Sequence, residues 1–161
     1  MSHRILIAYL THSGNTRKIA GYIHNEIGGT IFEIEPETPY PNSFNAVVAQ
    51  ARKEIKAGFK PALKANIDDM ASYDTLFIGS PNWCSTIAPP VASFLSSHNW
   101  SGKTVVPFCT HGGGGRARML TDIAKLCPEA TILDGFEVYG SGSGNTQAQI
   151  SAWLRRISAN R

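Results

Sequence analysis

The residues able to do chemistry concentrate in three short stretches of the 161-residue chain. The first is Thr11-His12-Ser13-Gly14-Asn15-Thr16, which places three hydroxyls, an amide and a glycine just ahead of a helical pattern. Free backbone N–H groups and the helix dipole suit a phosphate at such a place. No Lys follows Gly14, so this is not the triphosphate loop G-x-x-x-x-G-K-[ST], and G-x-G-x-x-G is absent as well. A turn with Ser13 or Asn15 as N-cap accounts for the same residues equally well.

The second stretch is Ser80-Pro81-Asn82-Trp83-Cys84-Ser85-Thr86-Ile87-Ala88-Pro89-Pro90. Trp83 lies outside any periodic element. It is placed either to stack on a flat ring or to lie as a lid over the helix that follows. The third is Thr110-His111-Gly112-Gly113-Gly114-Gly115-Arg116. Four glycines are costly to order and become useful where a ligand approaches bare backbone; the alternative is a flexible loop without a ligand. Two similar patterns carry nothing. His111-Gly112-Gly113-Gly114 looks like a hydrolase oxyanion loop, but the chain has no G-x-S-x-G. Gly140-Ser141-Gly142-Ser143-Gly144 has the wrong spacing for a dinucleotide fingerprint.

Composition narrows the classes. Hydrophobic residues are 42% and charged residues 17%, a globular balance in a length that suits a single domain over residues 1–161. No apolar run reaches the roughly 18 residues of a membrane span, and the N-terminal apolar run is too short for a signal peptide. The expected location is the cytoplasm. Cys84, Cys109 and Cys127 are odd in number and form no C-x-x-C, so neither a disulfide framework nor a metal site is expected. The net charge of +3, with no basic stripe, is too mild to argue for nucleic acid, and no such partner is expected.

The elements that must position the three stretches alternate strand and helix. Apolar runs predict strands over 4–10, 30–35, 75–79, 103–109 and 131–133, with Glu137-Val138-Tyr139 as a candidate continuation. Helices are predicted over 15–27, 43–57, 89–97, 116–126 and 146–157. Their apolar stripes are Ile19, Ile23 and Ile27; Phe44, Val47, Val48, Ala51 and Ile55; Leu120, Ile123 and Ala124; and Ile150, Trp153, Leu154 and Ile157. Strands apolar throughout, separated by amphipathic helices, imply an open parallel α/β sheet covered on both faces. A barrel would need about 250 residues. All three stretches follow strands, so they meet at the carboxyl ends, where open sheets bind ligands.

In this order the three stretches resemble those of the flavodoxin family. Thr11-His12-Ser13-Gly14-Asn15-Thr16 is similar to the family's phosphate loop, T/S-x-T/S-G-N-T. Asp74-Thr75-Leu76-Phe77-Ile78-Gly79-Ser80-Pro81, then Trp83 and Ala88-Pro89-Pro90, resembles the branch that includes NAD(P)H:FMN oxidoreductases. Thr110-His111-Gly112-Gly113 completes the set. The resemblance implies a doubly wound, five-stranded parallel sheet of order 2-1-3-4-5 with FMN at its switch point. It implies that Thr11, Ser13, Asn15 and Thr16 hold the phosphate around Gly14, with His12 projecting from the turn. Pro81, Asn82, Trp83 and Cys84 would flank one side of the flavin; Thr110, His111, Gly112 and Gly113 would line the other. One departure stands out: Ser85 occupies a position where related sequences often carry glycine.

Flavodoxins that act as carriers resemble one another in acidic surfaces around the flavin. This chain has no Asp or Glu in the 47 residues from Thr75 to Thr121, and none from Met1 to Thr16. Arg116 and Arg118 lie beside the third stretch, where a helix N-terminus gives cations no stabilising role. Three readings follow. One is an FMN-binding redox protein passing electrons to a protein partner. Another is an FMN-dependent oxidoreductase taking hydride from NAD(P)H to reduce a small acceptor such as a quinone. The third is a flavin-free binding module.

Overall fold

The computed structural model describes residues 4–159. In chain order the main elements are β1 (Ile5–Tyr9), α1 (Asn15–Ile27), β2 (Thr30–Glu33), α2 (Phe44–Ala57), β3 (Thr75–Pro81) and α3 (Pro89–Ser96). They continue with β4 (Thr104–His111), α4 (Met119–Leu126), β5 (Thr131–Ile132), β6 (Phe136–Tyr139) and α5 (Thr146–Ala159). All strand pairs are parallel, in the order β2-β1-β3-β4-β5, with β6 also on β4.

Successive residues of the central strands supply two separate cores. Leu6, Ala8, Leu76, Ile78 and Val105 pack with Val47, Ala51, Phe94 and Ile123. Ile7, Tyr9, Phe77, Val106 and Phe108 pack with Ile19, Ile23, Ile150 and Trp153. Burial on both faces is why these strands are apolar without alternation. Gly79 is required by this packing: a Cβ there would sit 2.2 Å from the Phe108 ring.

The expected fifth strand is split into β5 and β6, and Pro107 supplies the reason. Thr131 and Leu133 donate to the carbonyls of Lys103 and Val105, at 2.9 and 3.0 Å. Alternate residues of β4 therefore address the fifth strand, and Pro107 is next in that row. It has no N–H to give. The chain leaves the ladder at Asp134-Gly135 and resumes it where Phe136 pairs with Phe108.

Three expected details change. Phe44 is not in the buried stripe of α2 but 68% exposed. Helix α4 starts at Met119, and its buried residues are Met119 and Ile123, while Ala124 is exposed. Ile27 is half-buried rather than buried. No described helix is long and apolar enough to cross a membrane.

Candidate functional site

The loops that follow β1, β3, β4 and β6 open onto one cavity of about 350 Å³, within the range of small-molecule sites. The first loop contributes His12, Ser13, Asn15 and Thr16; the second Pro81, Asn82 and Trp83; the third Thr110, His111 and Gly112. Four expected residues are not in its wall. Thr11 lines a neighbouring cavity, and its hydroxyl accepts the Gly14 N–H at 3.0 Å. Gly14 and Gly113 turn the backbone at φ 97° and 130° without lining the wall. Cys84 lies away from the cavity, its thiol 3.7 Å from the Val48 carbonyl.

Helix α1 begins at this cavity with no side-chain cap. Its N-cap position is Gly14, in the left-handed region, so neither Ser13 nor Asn15 caps it. The first helical bond is Lys18 N–H to Gly14 O, 3.1 Å. The N–H groups of the first turn thus have no intrahelical acceptor. With the dipole behind them, they suit an anion.

Polar side chains lock the three loops together. Thr16 and Thr110, both buried, share a hydroxyl–hydroxyl bond of 2.8 Å. The Asn82 amide donates to Gly115 O at 2.7 Å and accepts from Ser85 N–H at 2.9 Å, while its own backbone N–H donates to Thr110 O at 2.8 Å. Asn82 thus ties down the glycine loop at Gly115, where a Cβ would meet Glu137 at 3.0 Å. His111 Nδ1 accepts from Gly113 N–H at 3.0 Å. In the neutral ring this leaves the proton on Nε2. His12 Nε2 meets Pro41 O at 2.7 Å and ties down the connection between β2 and α2.

Trp83 is 4% exposed, held edge-on by Tyr40 at 5.0 Å between ring centroids. It belongs to a core cluster with Ile87, Ala88 and Val91 and also forms part of the cavity wall. Trp83 thus packs over α3 and also faces the cavity. Trp100 and Trp153 are buried away from the cavity. Addition of FMN is expected to quench tryptophan fluorescence mostly through Trp83. Trp83→Phe should remove most of that quench; an undiminished quench would place the ligand elsewhere.

The turn after Trp83 is strained. Trp83 and Thr86 exchange backbone bonds of 3.0 and 3.2 Å, and Cys84 and Ser85 between them have φ of 55° and 73°. Two left-handed residues in a two-residue turn favour Asn-Gly. Ser85 adopts this region despite its side chain, at a cost of order 1 kcal/mol. Ser85→Gly is therefore expected to raise stability by about 0.5–1 kcal/mol, read as a shift in the urea midpoint. A lower midpoint would show the turn to be unstrained.

Three wall residues escaped the sequence reading: Phe44, Tyr139 and Gly140. Phe44 fits a helical stripe by spacing alone. Tyr139-Gly140 follows a strand, so the carboxyl-end rule could have found it. Phe44 and Tyr139 are 68% and 69% exposed, and Tyr139 meets His111 edge-on at 6.0 Å. Among the described residues, no Asp, Glu, Lys or Arg lines the cavity. Arg116 and Arg118 lie outside it and have acidic partners, Asp134 at 3.4 Å and Asp122 at 3.8 Å. Their position beside a helix start is accounted for by those pairs. The described residues contain no metal-binding cluster.

Fold and site together define an open parallel α/β protein with a cavity at the carboxyl edge of its sheet. The sequence model of the flavodoxin family matches residues 4–157, and the chain belongs to that family. Among solved structures it is similar to a candidate flavoprotein from Bacteroides eggerthii DSM 20697. That pair has 28% identity and a TM-score of 0.86 over 98% of this chain and 99% of the other. A flavoprotein in complex with FMN from Lactobacillus acidophilus NCFM has 20% identity and a TM-score of 0.73, over 92% and 97% of the two chains. A flavodoxin from the domain Archaea has 15% identity and a TM-score of 0.66, over 98% and 97%. A search of curated protein sequences gives no match.

Proposed function

We propose that this protein binds FMN in the three-loop cavity and works as a redox protein, passing electrons through the flavin. The observation that carries this is the uncapped start of α1, opening on a cavity with Ser13, Asn15 and Thr16 in its wall. Those residues fit a terminal phosphate: backbone N–H groups, two hydroxyls and an amide, with the dipole behind them. Membership of the flavodoxin family and the likeness to a flavoprotein in complex with FMN support the same cofactor. Bound flavin supplies the electron-transfer chemistry. The chain's own part is to hold the phosphate at α1 and to set the ring among Trp83, Asn82, His111 and the backbone of Gly112. His111 also holds a proton at Nε2 beside the cavity.

A second reading is a reductase that takes hydride from NAD(P)H and reduces a small acceptor such as a quinone. The carboxylate-free cavity favours it, because an anionic donor meets no repulsion there. The two readings separate in one experiment. The purified FMN-loaded protein is mixed anaerobically with NADH and with NADPH, and flavin absorbance is followed. Rapid bleaching is the reductase outcome. An unbleached flavin that is readily reduced by a protein or chemical donor is the carrier outcome. A protein that takes up no flavin at all would refute both.

A further inference from the structure

A second concavity, of about 230 Å³, lies between the end of α2, α3 and α4, and the flavin reading makes no use of it. Its wall is apolar, with Ile55, Ile87, Ala92 and Leu126. Lys60 and Lys125 stand at it, both exposed. Neither makes an ion pair among the described residues. Among the described residues the acidic one in the wall is Asp122, and its carboxylate is already engaged. It accepts from the Thr86 hydroxyl and lies 3.8 Å from Arg118 Nε. The site therefore offers apolar surface and two ammonium groups without a counter-charge.

We propose that this cleft is a second binding site, for a small molecule with an apolar body and a single carboxylate. The apolar body lies against the aliphatic wall, and the carboxylate meets Lys60 and Lys125. A carboxylate adds an attraction to the two ammonium groups that a neutral or cationic occupant lacks. The cleft also touches the strained turn: Thr86 is in its wall and closes the backbone bonds to Trp83. An occupant thus rests on the segment that carries Trp83 to the other cavity.

Octanoate is the probe, and 1-octanol is its uncharged counterpart. Both are titrated into the FMN-loaded protein labelled with nitrogen-15, and amide shifts are followed. Octanoate is expected to shift Ile55, Ala92 and Leu126 saturably. Octanol is expected to bind about tenfold more weakly, since it lacks the charge. Reversing both charges, Lys60→Glu with Lys125→Glu, should weaken octanoate about tenfold and leave octanol unchanged. These lysines are exposed, so the variant is expected to fold. Ala92→Trp, which fills the cleft, should abolish both. Equal binding of octanoate and octanol would overturn the proposal. So would an absence of saturation, or shifts confined to Ser13, Asn82 and His111. None of these readouts depends on redox activity, so the flavin assignment stands or fails separately.

Discussion

Replacing Ser13 and Thr16 together by Ala is expected to weaken FMN by about 1–3 kcal/mol, from lost hydrogen bonds to a charged group. The two residues differ in what else they do. Ser13 is exposed and makes no hydrogen bond within the described protein, so Ser13→Ala should change affinity and leave stability alone. Thr16 is buried against Thr110. Thr16→Ala should also cost about 1–3 kcal/mol of stability, because the Thr110 hydroxyl is left buried without its partner. Thr16→Val with Thr110→Val removes both hydroxyls and should restore much of that stability without restoring affinity. Fluorescence titration with FMN and urea unfolding separate the two effects. Unchanged FMN affinity in the Ser13→Ala, Thr16→Ala double variant would remove the phosphate from this loop.

Asn82→Ala is expected to act on the second and third loops at once. The side chain joins the second loop to Gly115 in the third and pins Ser85 in its left-handed turn. Loss of these two hydrogen bonds, one part-buried and one exposed, should cost about 2 kcal/mol. For a chain of this size that lowers the melting temperature by about 4–8 °C. FMN affinity should fall as well, since the turn carries Trp83. Asn82→Asp keeps the acceptor for Ser85 but loses the donor to Gly115, so it should lie between the two. A melting temperature and an FMN affinity both unchanged in Asn82→Ala would mean that the loops hold their shape without it.

Much of this arrangement was legible before any coordinates, for identifiable reasons. β1, β3 and β4 are buried on both faces, so they appear as unbroken apolar runs. The first two loops are rich in hydroxyls, amides and proline, and so stand out from the elements that flank them. Order along the chain then assigns each loop to the carboxyl end of its strand.

The parts that were not legible depend on contacts distant in sequence. Phe44 shares its spacing with Val47, Val48, Ala51 and Ile55, and periodicity cannot tell that the first residue of the stripe overhangs a cavity. Tyr139 reaches the wall because the fifth strand resumes after Asp134-Gly135, a break imposed by Pro107 on the neighbouring strand. Cys84 sits beside Trp83 in sequence, but the turn carries its thiol to the α2 side. Arg116 and Arg118 had no evident role beside a helix start, because their pairing with Asp134 and Asp122 depends on the folded arrangement.

The central claim is that the start of α1 holds the phosphate of FMN. It is tested most directly by comparing the dissociation constants of FMN and riboflavin, which differ only in that phosphate. Two or three hydrogen bonds to a charged group, each of about 1.5–3 kcal/mol, predict FMN tighter by at least about a hundredfold. Riboflavin and FMN bound with equal affinity would contradict it.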